Sequence, residues 1–233
     1  MRKSLIIVLL VGIGLGLWVL ASVPADSAAG GTITGVVKFA GDPAAPKVIP
    51  PTKDAQVCGK APIYDESLMV DKTSKGIQWA VVWVGGAKGK WDGKGVTLDQ
   101  QGCTFRPHVL AAPPGKLTVL NSDGILHNFH SHGKKNPAMN QAQPGFRKKM
   151  DVEFKQAEIV KITCDAHPWM TGWIVVSEDP YVAVTDDKGN FKIENVPPGT
   201  YTLEAWHETL GSTKQQVAVK AGETVKVAFE LKK

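Results

Sequence analysis

From Thr32 onward the apolar positions recur either in alternation or in unbroken runs of a few residues, and almost nowhere with the period of a helix. Thr32-Ile33-Thr34-Gly35-Val36-Val37 and Trp79-Ala80-Val81-Val82-Trp83-Val84 are rich in β-branched and aromatic side chains, which suit a pleated surface. Turn residues punctuate the runs at Gly85-Gly86, Pro113-Pro114-Gly115, Asn121-Ser122-Asp123-Gly124, Asp186-Asp187-Lys188-Gly189-Asn190 and Pro197-Pro198-Gly199, a spacing typical of β-sandwiches. The chain therefore reads as all-β. Residues 133–149, with Gly, Pro, Asn and Gln throughout, lack a strand pattern and are expected to form a long surface loop.

Composition changes at Glu178-Asp179-Pro180, which predicts two units. One spans 76–178. The other, 180–233, holds short strands centred on Val182, Phe191, Tyr201 and Val217 and a last one near Val225. So short a unit buries little surface alone. It can borrow the strand at 32–39 from the segment 30–75, which would make 76–178 an insertion.

At 233 residues, with 43% hydrophobic and 21% charged residues, the chain has enough apolar content for a real core and is not disordered. Its net charge of +5 is spread along the sequence; that gives no nucleic-acid footprint and slightly favours acidic protein surfaces. Arg2 and Lys3 precede an apolar run at 5–20, followed by Pro24, Asp26 and small residues. Residues 1–29 thus read as an export signal, cleaved near Ala25-Asp26-Ser27 or Ser27-Ala28-Ala29 or kept as a membrane anchor. Either way the expected location is periplasmic or otherwise extracytoplasmic.

An oxidising compartment gives meaning to three cysteines: one disulfide and one thiol kept for another purpose. Cys58 and Cys103 lie in unremarkable strand-and-loop sequence and are paired here. Cys164 sits in Cys164-Asp165-Ala166-His167-Pro168-Trp169-Met170, where a thiolate, an imidazole and a thioether share one inter-strand loop. Such soft ligands select copper or zinc over magnesium or calcium. His127, after the turn at 121–124, can complete a His2Cys plane with Met170 above it, the arrangement of blue copper. Zinc has little use for a thioether, so copper, one per chain, is the expected cofactor.

Pro114-Gly115, Asn121, His127-Asn128 and Cys164-x2-His167-x2-Met170 together resemble the cupredoxins, and the short Cys-to-Met loop is most similar to that of amicyanin. The resemblance covers roughly 76–178. It implies a Greek-key sandwich with copper at one end, His167 nearest the surface as the electron port, and Asn128 tying the two ligand loops together. Phe129-His130-Ser131-His132 departs from the family by adding two histidines, candidates for an accessory metal. The segments Asp186-Asp187-Lys188-Gly189-Asn190-Phe191 and Val196-Pro197-Pro198-Gly199-Thr200-Tyr201-Thr202-Leu203 resemble carboxypeptidase regulatory-like, Cna-B-type or transthyretin-like sandwiches. That resemblance implies a structural or adhesive role without peptidase activity. His207, between Trp206 and Glu208, reads as structural.

The expected function is one-electron transfer to a redox protein partner. Pro168 and Trp169 supply an apolar docking patch, and Lys134, Lys135, Arg147, Lys148 and Lys149 steer an acidic surface. Two alternatives stand beside it. A copper oxidoreductase would use a second metal on His127, His130 and His132, although Thr163 and Asp165, rather than histidines, flank Cys164. A copper-storage or adhesion protein would prefer exchangeable, open ligands to a buried thiolate.

Overall fold

The computed structural model describes residues 29–233. The apolar run at 5–20 lies outside them. Among the described residues no helix is long and apolar enough to cross a membrane.

The chain is all-β and builds two sandwiches, one hosting the other. The host pairs Gly31–Phe39 antiparallel with Asn190–Val196 on one side and parallel with Thr224–Leu231 on the other. Its second sheet runs Val182–Val184, Val81–Gly85, Gly199–His207, Gly211–Val219. Ile33, Val37, Val82, Val84, Leu203 and Phe229 fill the space between the sheets. The first strand supplies two fully buried side chains, Ile33 and Val37, to a core otherwise made largely by residues after 180.

The strand Val81–Gly85, expected in the 76–178 unit, belongs to the host. Its run is apolar on both faces for a physical reason. Val82 and Val84 point into the host core, while Val81 packs on the other sandwich with Val109 and Val175 and a belt that includes Trp79, Trp83, Trp173 and Trp206. A strand buried on both sides loses the alternation that marks a half-exposed one.

The inserted sandwich begins at Val96–Gln101. One sheet is ordered Met139–Gln143, His127–Ser131, Glu158–Thr163, Thr171–Val176, Val109–Ala112; the other is Lys149–Phe154, Gly115–Asn121, Val96–Gln101, Thr104–Arg106. Leu98, Phe105, Leu117, Phe129, Phe154 and Ile162 form its core. Within the expected 133–149 loop, Met139–Gln143 is a strand, paired residue by residue with His127–Ser131. Its polar sequence hides the period. Gln143 nevertheless turns inward, fully buried, and bonds Gln100 at 2.6 Å, so hydrogen bonding replaces apolar burial as the reason for the register.

Residues 40–75 cap the inserted sandwich. They form a small pair of strands, Val48–Ile49 with Ile63–Tyr64, and a single turn of helix, Ala55–Cys58. Cys58 and Ile63 enter the inserted core, Cys58 is disulfide-bonded to Cys103, and Arg106 grips both carboxylate oxygens of Glu66 at 2.7 Å.

Candidate metal centre

Two turns and a tight loop meet at one end of the inserted sandwich. The turn at 121–124 is built by Asn121, whose side chain accepts the Gly124 N–H and donates to the carbonyls of Ile125 and Gln143. It delivers His127, fully buried, at the start of its strand. Cys164 follows the end of the neighbouring strand Glu158–Thr163. The loop after it is closed by two backbone bonds, Met170 N–H to His167 O at 2.9 Å and Cys164 N–H to Met170 O at 3.2 Å. Cys164, His167 and Met170 are all buried.

The Nδ1 atoms of His127 and His167 face each other at 3.0 Å, and Cys164 Sγ lies 3.9 Å from the first and 3.7 Å from the second. A circle through the three atoms has a radius of about 2.1 Å, beside metal–nitrogen and metal–sulfur bonds of about 2.0–2.1 and 2.3 Å in zinc sites. The three donors therefore fit one ion. Met170 closes the loop by backbone bonds to Cys164 and His167, and its side chain is buried in the core of the same sandwich.

Each donor is held from behind. The N–H of Asn128 donates to Cys164 Sγ at 3.2 Å, so Asn128 joins the two ligand segments through its backbone. Its side chain donates to Asn140, which in turn donates to Asp165 beside the cysteine. The Nε2 of His127 meets Asp123 Oδ2 at 2.9 Å. The Nε2 of His167 meets Asp54 Oδ2 at 3.0 Å. A carboxylate on the far nitrogen of an imidazole orients the ring and makes its other nitrogen a better donor to a metal.

These contacts set the proton inventory. Burial pushes the Cys164 thiol up, but His127 and the Asn128 N–H outweigh it and hold the thiol below its ordinary value. Burial also disfavours a charged His127, yet Asp123 and Cys164 on either side raise it to about 9. Burial lowers His167, with Asp54 opposing. The shifts favour the charged form of His127 and the deprotonated form of Cys164 beside it, and they disfavour a charged His167; a metal ion would displace the His127 proton.

Three expectations change. His167 is itself fully buried, and what stands between it and solvent is the partly exposed carboxylate of Asp54. Of its loop neighbours Pro168 is exposed, while Trp169 is half-buried with its ring 5.1 Å from His167 and its Nε1 donating to Cys103 O. His130 and His132 stack on each other at 4.2 Å on the outer face of the strand whose inner face carries His127. They bond Asp165 and Thr163, so alternation keeps them from sharing one ion with His127. The lysines divide too. Arg147, Lys148 and Lys149 lie at the ligand end, but the N–H groups of Lys134 and Lys135 bond Glu158, at the far end of the strand that leads to Cys164.

The residues not anticipated are Asp123 and Asp54. Asp123 had a signal, since it stands in the turn four residues before His127; Asp54 had none. His207 is buried, and burial lowers it to about 4, as befits a structural side chain.

Residues 174–232 match the carboxypeptidase regulatory-like domain family, which covers the last five strands of the host. Among solved structures the chain is similar to a purple cupredoxin from Nitrosopumilus maritimus, at 21% identity over 35% of this chain and 99% of the other, with a TM-score of 0.30. It is similar to a copper-containing nitrite reductase from Thermus scotoductus SA-01, at 25% identity over 40% of this chain and 24% of that one, with a TM-score of 0.34. A variant of amicyanin in its Cu(I) form matches at 18% identity over 41% of this chain and 98% of the other, with a TM-score of 0.33. A comparison with curated proteins finds no match.

Proposed function

We propose that this chain is an exported type 1 copper protein that carries single electrons between redox partners. The observation that carries the proposal is the closed triangle of His127 Nδ1, His167 Nδ1 and Cys164 Sγ, buried and of a size to hold one ion. Met170, buried at the end of the same loop, would add a thioether donor. Copper bound there supplies a one-electron couple. The chain keeps its own geometry constant: Asp123 and Asp54 fix the rings, the Asn128 N–H fixes the sulfur, and the backbone bonds of 164–170 close the loop. Donors that barely move suit both oxidation states.

Exposed Leu126, Phe146 and Pro168 lie at the ligand end. A Cβ on Gly145 would sit 1.9 Å from Gly124 O, so the turn that displays Phe146 rests directly on the turn that delivers His127. Arg147, Lys148 and Lys149 flank it, all exposed. This face takes an acidic redox protein. The host sandwich is the scaffold from which the copper unit and its cap are extended, and the export segment sends both outside the cytoplasm.

Titration of the chain with copper(II), read by metal content, visible absorption and paramagnetic resonance, tests the proposal. One copper per chain with an intense thiolate-to-copper band, lost in Cys164→Ser, is the expected outcome. A colourless copper-loaded chain would support storage instead. Preference for zinc would end the copper reading.

A further inference from the structure

The cap segment adds no strand to either sandwich, yet it reaches a buried group of the centre. Asp54 occupies the N-cap position of the helix Ala55–Cys58, with φ 50 and ψ 38, in the left-handed region. An aspartate at this position ordinarily accepts a hydrogen bond from the first turn of its helix. Asp54 makes no such bond. Its Oδ2 turns instead to Nε2 of His167 at 3.0 Å, and its side chain, 40% exposed, stands between a fully buried ring and solvent.

The anchorage of that aspartate is unusually direct. Cys58, last residue of the same helical turn, is bonded to Cys103. Single ligand atoms of Cys58, Cys103 and His167 all lie within 4.8 Å of one another, so the disulfide packs beside the imidazole it helps to cover. Cys103 also donates its N–H to Asp123 and accepts the Trp169 indole N–H. One covalent bridge thus organises the carboxylates behind both histidines.

We infer that Asp54 is a positioning residue for His167: the disulfide-held cap places its carboxylate on Nε2, turns Nδ1 toward Cys164, and closes the imidazole edge to water. This rests on the copper reading above. A carboxylate accepting from a ligand imidazole makes it a stronger donor and favours the more highly charged metal. Removal of Asp54 therefore raises the reduction potential. It also opens a route for water and for competing ligands.

The test compares the copper-loaded chain with Asp54→Ala, Asp54→Asn and Asp54→Glu, and with the double variant Cys58→Ser, Cys103→Ser. Measurements are the reduction potential, the paramagnetic resonance spectrum, and the rate of copper loss to a chelator. Asp54→Ala is expected to raise the potential and to lose copper about 10-fold faster, the lower end for outer-shell partners. Asp54→Glu restores both in part, and Asp54→Asn, which keeps an acceptor without the charge, falls between. The disulfide variant shifts the potential in the same direction, and adding Asp54→Ala to it adds little, because both act through one contact. If the wild-type chain shows the thiolate-to-copper band but Asp54→Ala leaves potential, spectrum and loss rate unchanged, this inference fails alone. A wild-type chain without the band overturns the copper reading and this inference with it.

Discussion

Cys103 donates its backbone N–H to Asp123 Oδ2 at 2.8 Å, and the same oxygen lies 2.9 Å from Nε2 of His127. A residue of the disulfide is thereby one hydrogen bond away from the group that orients a candidate metal ligand. Gly102 adds a second N–H to the other oxygen at 2.7 Å. The carboxylate is held by two amides while it holds the ring, which explains how a buried acid stays ionised: burial pushes Asp123 up, and His127 with the two amides brings it below its ordinary value.

Asp123→Ala removes that orientation and leaves two amides without their acceptor. Copper affinity, measured by competition with a chelator of known strength, is expected to fall by about 10- to 100-fold. Asp123→Asn retains an acceptor and costs less.

The Cys58–Cys103 bond spans 45 residues. In the chain-entropy account a loop of that length stabilises by about 4 kcal/mol. Urea unfolding of the metal-free chain with and without a reductant should show a loss of about that size. Unchanged stability on reduction would mean that the cap is held by Arg106–Glu66 and its apolar contacts alone.

Glu158 accepts from the N–H groups of Lys134, Lys135 and Asn136. Burial acts against its charge, but these bonds lower it from 4.5 to about 2. Its pKa is depressed in the folded chain, so its contribution is complete above the unfolded value and is lost as pH falls from there toward 2. Glu158→Gln should flatten the acid limb of the stability curve, measured by urea unfolding between pH 7 and pH 2.5.

Ile33 is fully buried in the host core, on a strand far from most of that core in sequence. Ile33→Ala is expected to cost about 2–5 kcal/mol. Residues 180–233 made alone lack both Gly31–Phe39 and Val81–Gly85 and should give no cooperative transition by circular dichroism.

Arg147→Glu with Lys148→Glu reverses charge beside exposed Phe146 without touching a ligand. Electron transfer from the reduced copper chain to an anionic iron oxidant should slow, transfer to a cationic cobalt oxidant should quicken, and both differences should shrink as salt rises. Equal rates in the two proteins would place the docking face elsewhere.

Local features were legible in the chain itself. Alternation and β-branched content declared the strands, Gly and Pro declared most turns, and Cys164, His167 and Met170 are near enough in sequence that one loop must carry them together. Composition also separated Cys164 from the other two cysteines. Tertiary structure decided the rest. Val81–Gly85 joins the host because both of its faces are buried, and Met139–Gln143 is a strand because the edge of His127–Ser131 and the amide of Gln100 await it. Asp54 is 113 residues from the imidazole it covers. Periodicity reports which side of a segment is buried; it carries no information about which distant acid the path of an insertion will bring to a ring nitrogen, and so the candidate donors could be read from the sequence while Asp54 behind one of them could not.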